Sequence, residues 1–109
     1  MENKETRLNE KVKHIQATQV IISGKWKLSI LMAVGDGISR FRDLQRSLPP
    51  ITTRSLSQEL KAMESSGLVL RIVENSDTAG LVNYCLSDFG MALLPITDAL
   101  IKWSKFQAA

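Results

Sequence analysis

Arg54, Gln58, Lys61 and Ser65 recur at i, i+4, i+7 and i+11, the spacing that aligns side chains along one face of a helix. A guanidinium, an amide, an ammonium and a hydroxyl are groups that contact base edges and phosphates. A helix face that meets only water more often carries Glu and Lys in i, i+4 pairs. The other side of the same stretch holds Leu56, Leu60 and Met63, so burying one stripe presents the other. Thr52 stands where an N-cap belongs, Ile51 and Leu56 have hydrophobic-staple spacing, and Gly67 follows as a stop. Residues 51–70 are therefore the expected centre of the molecule, a capped helix suited to the major groove of double-stranded DNA. With its N-terminal turn in the groove, Thr53, Arg54, Ser57 and Gln58 reach towards base edges, Lys61 lies further back near the phosphates, and the capping Thr52 is counted with them among the DNA-binding candidates. An ordinary solvated face is the competing interpretation.

Charge distribution bears on that choice. The chain has 109 residues, a formal charge of +3 and a pI near 9.2, a mild bias if it were spread evenly. It is concentrated instead. Between positions 40 and 71, Arg40, Arg42, Arg46, Arg54, Lys61 and Arg71 face only Asp43, Glu59 and Glu64. Beyond Arg71 the sign reverses, with Glu74, Asp77, Asp88 and Asp98 against Lys102 and Lys105. One face for a polyanion and another for a different purpose is the expectation, and Arg40 and Arg71 join the DNA-binding candidates.

The rest of the composition narrows the class. A chain of this length holds one domain with one core. No apolar run approaches a membrane span, and the opening MENKETRLNEK mixes charges where a signal peptide needs an apolar stretch, so a cytoplasmic protein is expected. The single cysteine, Cys85, allows neither an internal disulfide nor a cysteine metal cluster, and it reads as a small packing residue in a strand. His14 has no carboxylate or thiol cluster placed around it and reads as a solvated helix residue. Gly35-Asp36-Gly37 lacks the lysine and strand-to-helix setting of a phosphate loop and reads as a helix stop. No nucleophile–base pair, paired carboxylates or metal spacing stands out. An enzyme is the weakest interpretation, and no metal or cofactor is expected.

The elements around the polar helix follow from periodicity. After a few polar residues expected to fray, roughly 1–8, the positions Leu8, Val12, Ile15, Gln19 and Ile22 recur at three and four through a helix over 9–22. Val20 and Ile21 widen its apolar arc, so it either crosses the core or is shared with a second subunit. Residues 25–34 predict a second helix with Trp26, Ile30, Leu31 and Val34 inward. Ile38-Ser39 allows a very short strand, and a helix from about Arg40 to Leu48 turns Phe41, Leu44 and Leu48 inward until Pro49-Pro50 ends it. Two short helices joined by about four residues, the second polar on its outer face, make a helix-turn-helix over 40–66. Alternation in 68–73 and again in Val82, Tyr84 and Leu86, around the turn formers of 75–80, predicts a hairpin over 68–86 that serves as a wing. Ser87 caps a final helix over 88–106, which Pro95 should kink or bend around a partner.

In order and spacing, these pieces resemble the HxlR-type family of bacterial winged helix-turn-helix regulators. The likeness runs from about Ser23 to Trp103 and rests on Gly24-Lys25-Trp26, Arg40-Phe41 with Asp43-Leu44, and Ile51-Thr52 with Arg54, Leu56, Leu60 and Gly67-Leu68. It continues through Val82-Asn83-Tyr84-Cys85-Leu86-Ser87, Gly90, Leu94-Pro95 and Trp103. The resemblance implies a mainly α fold with a small β-hairpin and extra N- and C-terminal dimerisation helices. It also implies a homodimer that binds a two-fold symmetric operator as repressor or activator. On that basis Val12, Ile15, Gln19, Ile22, Leu93, Ile96, Leu100 and Trp103 are expected at the dimer interface. Many members of the family carry Cys-Pro in the N-terminal helix, where this chain has Lys13-His14. An acidic wing residue and a loop proline are also replaced here, by Asn83 and by a proline-free loop. Trp26 and Trp103 read by default as core or interface packing, and lining a pocket for an unidentified small-molecule effector at the dimer interface is their other assignment. A winged helix used to bind protein rather than DNA is the alternative function. Arg54 and Lys61, with no carboxylate on their stripe, favour nucleic acid.

Overall fold

The computed structural model describes residues 3–73 and 81–108. In chain order it has α1 (Lys4–Ile22), α2 (Lys27–Gly35), α3 (Phe41–Ser47), α4 (Thr53–Ser65), β1 (Val69–Val73), β2 (Val82–Leu86), α5 (Asp88–Met91) and α6 (Leu94–Ser104), closed by a 3-10 turn over Lys105–Ala108. This is the mainly helical, winged helix-turn-helix architecture that the periodicities predict.

The core forms where the inward stripes of α2, α3 and α4 meet the base of the hairpin. Ile30, Leu31, Leu44, Leu56, Leu60, Met63, Leu68 and Val69 are fully enclosed there, and Trp26, Phe41, Leu48, Tyr84 and Leu86 pack around them. Full burial of such side chains is worth about 1.5–3 kcal/mol each, which makes this cluster the main source of the domain's stability. Lys27 on α2 adds a partly buried ion pair to Glu59 on α4 at 3.3 Å and donates to the Ser23 carbonyl at 3.0 Å. The ion pair fixes α4 against α2, and the bond to Ser23 holds the lysine in place.

The hairpin is antiparallel, with Val69 opposite Leu86, Arg71 opposite Tyr84 and Val73 opposite Val82. Its root is tied to α4 and α5 through one residue. Ser87 donates its backbone N–H to the Leu68 carbonyl at 3.1 Å and its hydroxyl to the Gly67 carbonyl, and its Oγ accepts from Gly90 N at 3.0 Å. Gly67 has φ +82, left-handed backbone that glycine adopts without strain. Gly90 is buried against Leu68, and a Cβ there would stand 2.1 Å from the Leu68 carbonyl oxygen.

Three expectations need correction. The first concerns α1, which starts at Lys4 rather than near residue 9, because Asn3 caps it by accepting from Thr6 N at 2.8 Å. Of the two settings expected for this helix, crossing the core is excluded, since no α1 residue is buried. At Ile38-Ser39 there is no strand, only one sheet-like bond in which Tyr84 N donates to the Ser39 carbonyl at 2.8 Å. The third is the C-terminal helix, which is broken rather than kinked: α5 ends at Met91, and Pro95 sits in the first turn of α6, where its missing N–H costs nothing. The turn formers of 75–80, with Glu74 and Asp77, lie outside the described residues.

The outline is long, 61 × 37 × 22 Å, with a radius of gyration of 16.9 Å, against about 13 Å for a compact chain of this size. Much of the apolar surface of the terminal helices meets solvent: Leu8, Val12, Ile15 and Val20 on α1, and Ile96, Leu100, Ile101 and Trp103 on α6.

Candidate nucleic-acid interface

Helix α4 presents its polar face because its apolar one is fully used. Leu56, Leu60 and Met63 are 0%, 2% and 0% exposed, while Thr53, Arg54, Gln58, Lys61 and Ser65 face outward. Ser57 is half-buried at the edge of this face. Thr52 caps the helix, its Oγ1 accepting from Ser55 N at 3.0 Å. That oxygen is thus committed to holding the first turn. Ile51, 6% exposed, closes the staple with Leu56. The first-turn residues Thr53 and Arg54 are presented on a rigid, capped end with the positive pole of the helix dipole behind them.

The remaining candidates lie on other elements. Arg40 occupies the N-cap position of α3 and is half-buried, lining a cleft of about 610 Å³ with Phe41, Arg42, Asp43, Arg46, Leu81 and Val82. Arg71 is exposed on β1, across from Tyr84. The candidate set thus divides into a contiguous group on α4, one arginine at the start of α3 and one on the wing.

Side chains that periodicity did not single out complete the surroundings. Gln45 Nε2 on α3 donates to Thr53 Oγ1 at 2.9 Å, across the helix-turn-helix. Arg46 pairs with Asp43 one turn before it. Lys25 lies over the Trp26 ring, 5.2 Å from its centroid, beside Ser55 and Gln58 of α4. Ser39 donates its hydroxyl to Asn83 Oδ1 at 3.2 Å, holding the loop before α3 to the wing. The clustering of Arg40, Arg42 and Arg46 in the sequence was the one signal pointing to the α3 side. The Gln45–Thr53 bond left none, because it depends on the angle between two helices.

The terminal helices form a second surface. Ile22, Leu93 and Ile96 come together with Thr18, Ile21, Leu68, Phe89 and Ala92 around an apolar hollow of about 200 Å³. Val12 and Ile15 are 41% and 58% exposed further along α1, Gln19 is exposed there as well, and Leu100 and Trp103 are 40% and 60% exposed on α6. Trp26 packs on the core, so it serves the packing role expected of it. Cys85 is half-buried on β2 opposite Leu70, and His14 is exposed. Among the described residues no helix is long and apolar enough to cross a membrane.

Comparison with known proteins agrees with this geometry. A family model described as HxlR-like helix-turn-helix matches residues 21–109. An HTH-type transcriptional regulator of Methanothermobacter thermautotrophicus is 43% identical over 84 residues, which make up 77% of this chain and 63% of that protein. The regulator YdzF of Bacillus subtilis is 41% identical over 91 residues, 83% of each chain. Among solved structures, the redox regulator HypR in its reduced form superposes with a TM-score of 0.79 at 33% identity, covering 86% of this chain and 92% of that one.

Proposed function

The chain belongs to the HxlR-like helix-turn-helix family of transcriptional regulators, and from that premise we propose that it acts in the cytoplasm as a homodimer, binding a two-fold symmetric DNA operator in a sequence-specific manner. The observation that carries the proposal is the division of α4 into a buried stripe of Leu56, Leu60 and Met63 and an outward stripe of Thr53, Arg54, Gln58 and Lys61. In a helix-turn-helix the second helix enters the major groove by its N-terminal residues. Thr53, Arg54, Ser57 and Gln58 then meet base edges, and Lys61, about two turns along, meets phosphate. Arg40 and Arg71 extend positive charge to the flanking backbone, while Thr52 contributes by keeping the first turn formed.

Dimerisation supplies the symmetry. The terminal helices α1 and α6 leave large apolar side chains exposed, the chain as a whole is longer than a compact one of its size, and a second copy is the partner that covers these side chains in both subunits at once. Val12, Ile15, Gln19, Ile22, Leu93, Ile96, Leu100 and Trp103 form that interface.

The test compares Arg54→Ala with Lys61→Ala on an operator duplex and on random duplex. An arginine fork on guanine carries roughly 1–3 kcal/mol of discrimination, so Arg54→Ala weakens the operator far more than random DNA. Lys61→Ala weakens both alike and lowers the slope of log affinity against log salt by about one for each phosphate it no longer neutralises. Equal losses on both duplexes for both variants, with intact circular dichroism, would refute the assignment.

A further inference from the structure

A second polar cluster lies on α3, outside the α4 face. Arg42, Gln45 and Arg46 stand at i, i+3 and i+4, on one face of the helix, and line a concavity of about 260 Å³. Through Arg42 and Arg46 it adjoins the cleft that reaches Leu81 and Val82 at the start of β2, the end of the hairpin away from its root. Arg42 is exposed. Arg46 pairs with Asp43, yet its side chain remains 78% exposed, so most of its five-donor fork faces solvent. Two guanidiniums against one carboxylate leave the cluster positive.

Gln45 sets this cluster apart from an ordinary basic patch. Its Nε2 donates one hydrogen to Thr53 Oγ1 at 2.9 Å. A primary amide has a second N–H, and the threonine hydroxyl keeps its own proton to donate. Thr53 opens α4 beside Arg54. An acceptor held between the two arginines would therefore be one hydrogen bond away from the turn that reads bases.

Resting on the DNA-binding function above, we propose that Arg42, Gln45 and Arg46 seat one phosphate of the DNA backbone, and that Gln45 ties this phosphate through Thr53 to the position of the first turn of α4. The chemistry fits phosphate: its oxygens only accept, they favour the planar arginine fork, and charge-assisted bonds to them are the strong kind. Placement fits as well, since the first helix of a helix-turn-helix crosses the backbone while the second lies in the groove. Phosphate contacts set register. Gln45 transmits that register to the base-contacting residues as a positioning residue.

The test uses the full-length protein and a duplex selected by the wild type. Single phosphates are replaced one at a time by uncharged methylphosphonate. One position in each half-site should weaken wild-type binding about tenfold, the usual scale for a hydrogen bond to a charged group, and Arg42→Gln and Arg46→Gln should be insensitive to that same replacement. The salt slope of each should fall by about 0.9 for every phosphate left without its arginine. Gln45→Ala and Thr53→Val should each weaken the selected duplex, and the double variant should be no worse than the poorer single one, the non-additivity expected of a bonded pair. Unchanged slopes and methylphosphonate profiles in the α3 variants, or additive losses for Gln45 and Thr53, would overturn the proposal. Arg54→Ala run in parallel separates the two levels. If it loses sequence preference while the α3 variants behave as wild type, the DNA-binding function stands and the phosphate seat falls; if the wild type retains no duplex at all, both fall.

Discussion

Replacing Ile15 with Glu tests the dimer directly. Ile15 lies on α1 with 58% of its surface exposed in the single chain, and full burial of such a side chain is worth about 1.5–3 kcal/mol. If the second copy covers all of that exposed part, each Ile15 contributes roughly 0.9–1.7 kcal/mol to association. Two-fold symmetry counts it twice, giving about 2–3.5 kcal/mol, or roughly 20- to 300-fold in the dissociation constant. A buried glutamate adds a desolvation cost to the missing apolar burial. The side chain faces water in the monomer, so Ile15→Glu leaves the fold of the single chain intact. Sedimentation equilibrium at micromolar concentration should find the wild type dimeric and Ile15→Glu shifted to monomer, with unchanged helix content by circular dichroism. Lys13→Gln, on the far side of α1 by the helical period, should remain dimeric. A wild-type monomer across this range, or an Ile15→Glu variant as dimeric as the wild type, would refute the reasoning.

Gly90→Ala should destabilise the domain by about 1–3 kcal/mol or more, the usual cost of overpacking, because its Cβ would stand 2.1 Å from the Leu68 carbonyl oxygen; thermal unfolding at fixed protein concentration checks it, and a wild-type midpoint would be contrary. Cys85→Ser should leave DNA affinity and its response to mild oxidant nearly unchanged, since the thiol is half-buried in β2 as a small packing residue. A response present in the wild type and absent in the variant, read by electrophoretic shift, would identify Cys85 as a sensor.

The parts of the fold legible in the sequence are those governed by local pattern. Leu56, Leu60 and Met63 announce the buried side of α4 by spacing alone, and Thr52 and Gly67 mark its ends because capping and left-handed backbone restrict residue type. Alternation gives the strands in the same way, within one residue at the start of β1. What was missed depends on competition between local signals or on packing angles. Asn3 extends α1 past a polar stretch that composition assigns to fraying. Pro95 starts α6 instead of bending a longer helix, since the continuous apolar run from Phe89 hides the break at Ala92 and Leu93. Of the candidate site, the α4 face was legible from periodicity, whereas the bond between Gln45 and Thr53 exists only once α3 and α4 are packed.

The most direct test of the central claim is selection of bound fragments from a pool of random double-stranded DNA, followed by alignment of what the protein retains. The account predicts a two-fold symmetric consensus with half-sites about one helical turn apart or a multiple of it, and loss of the conserved guanine preference when Arg54→Ala is used for the selection. A retained pool without symmetry or consensus, or one identical for the wild type and Arg54→Ala, would contradict it.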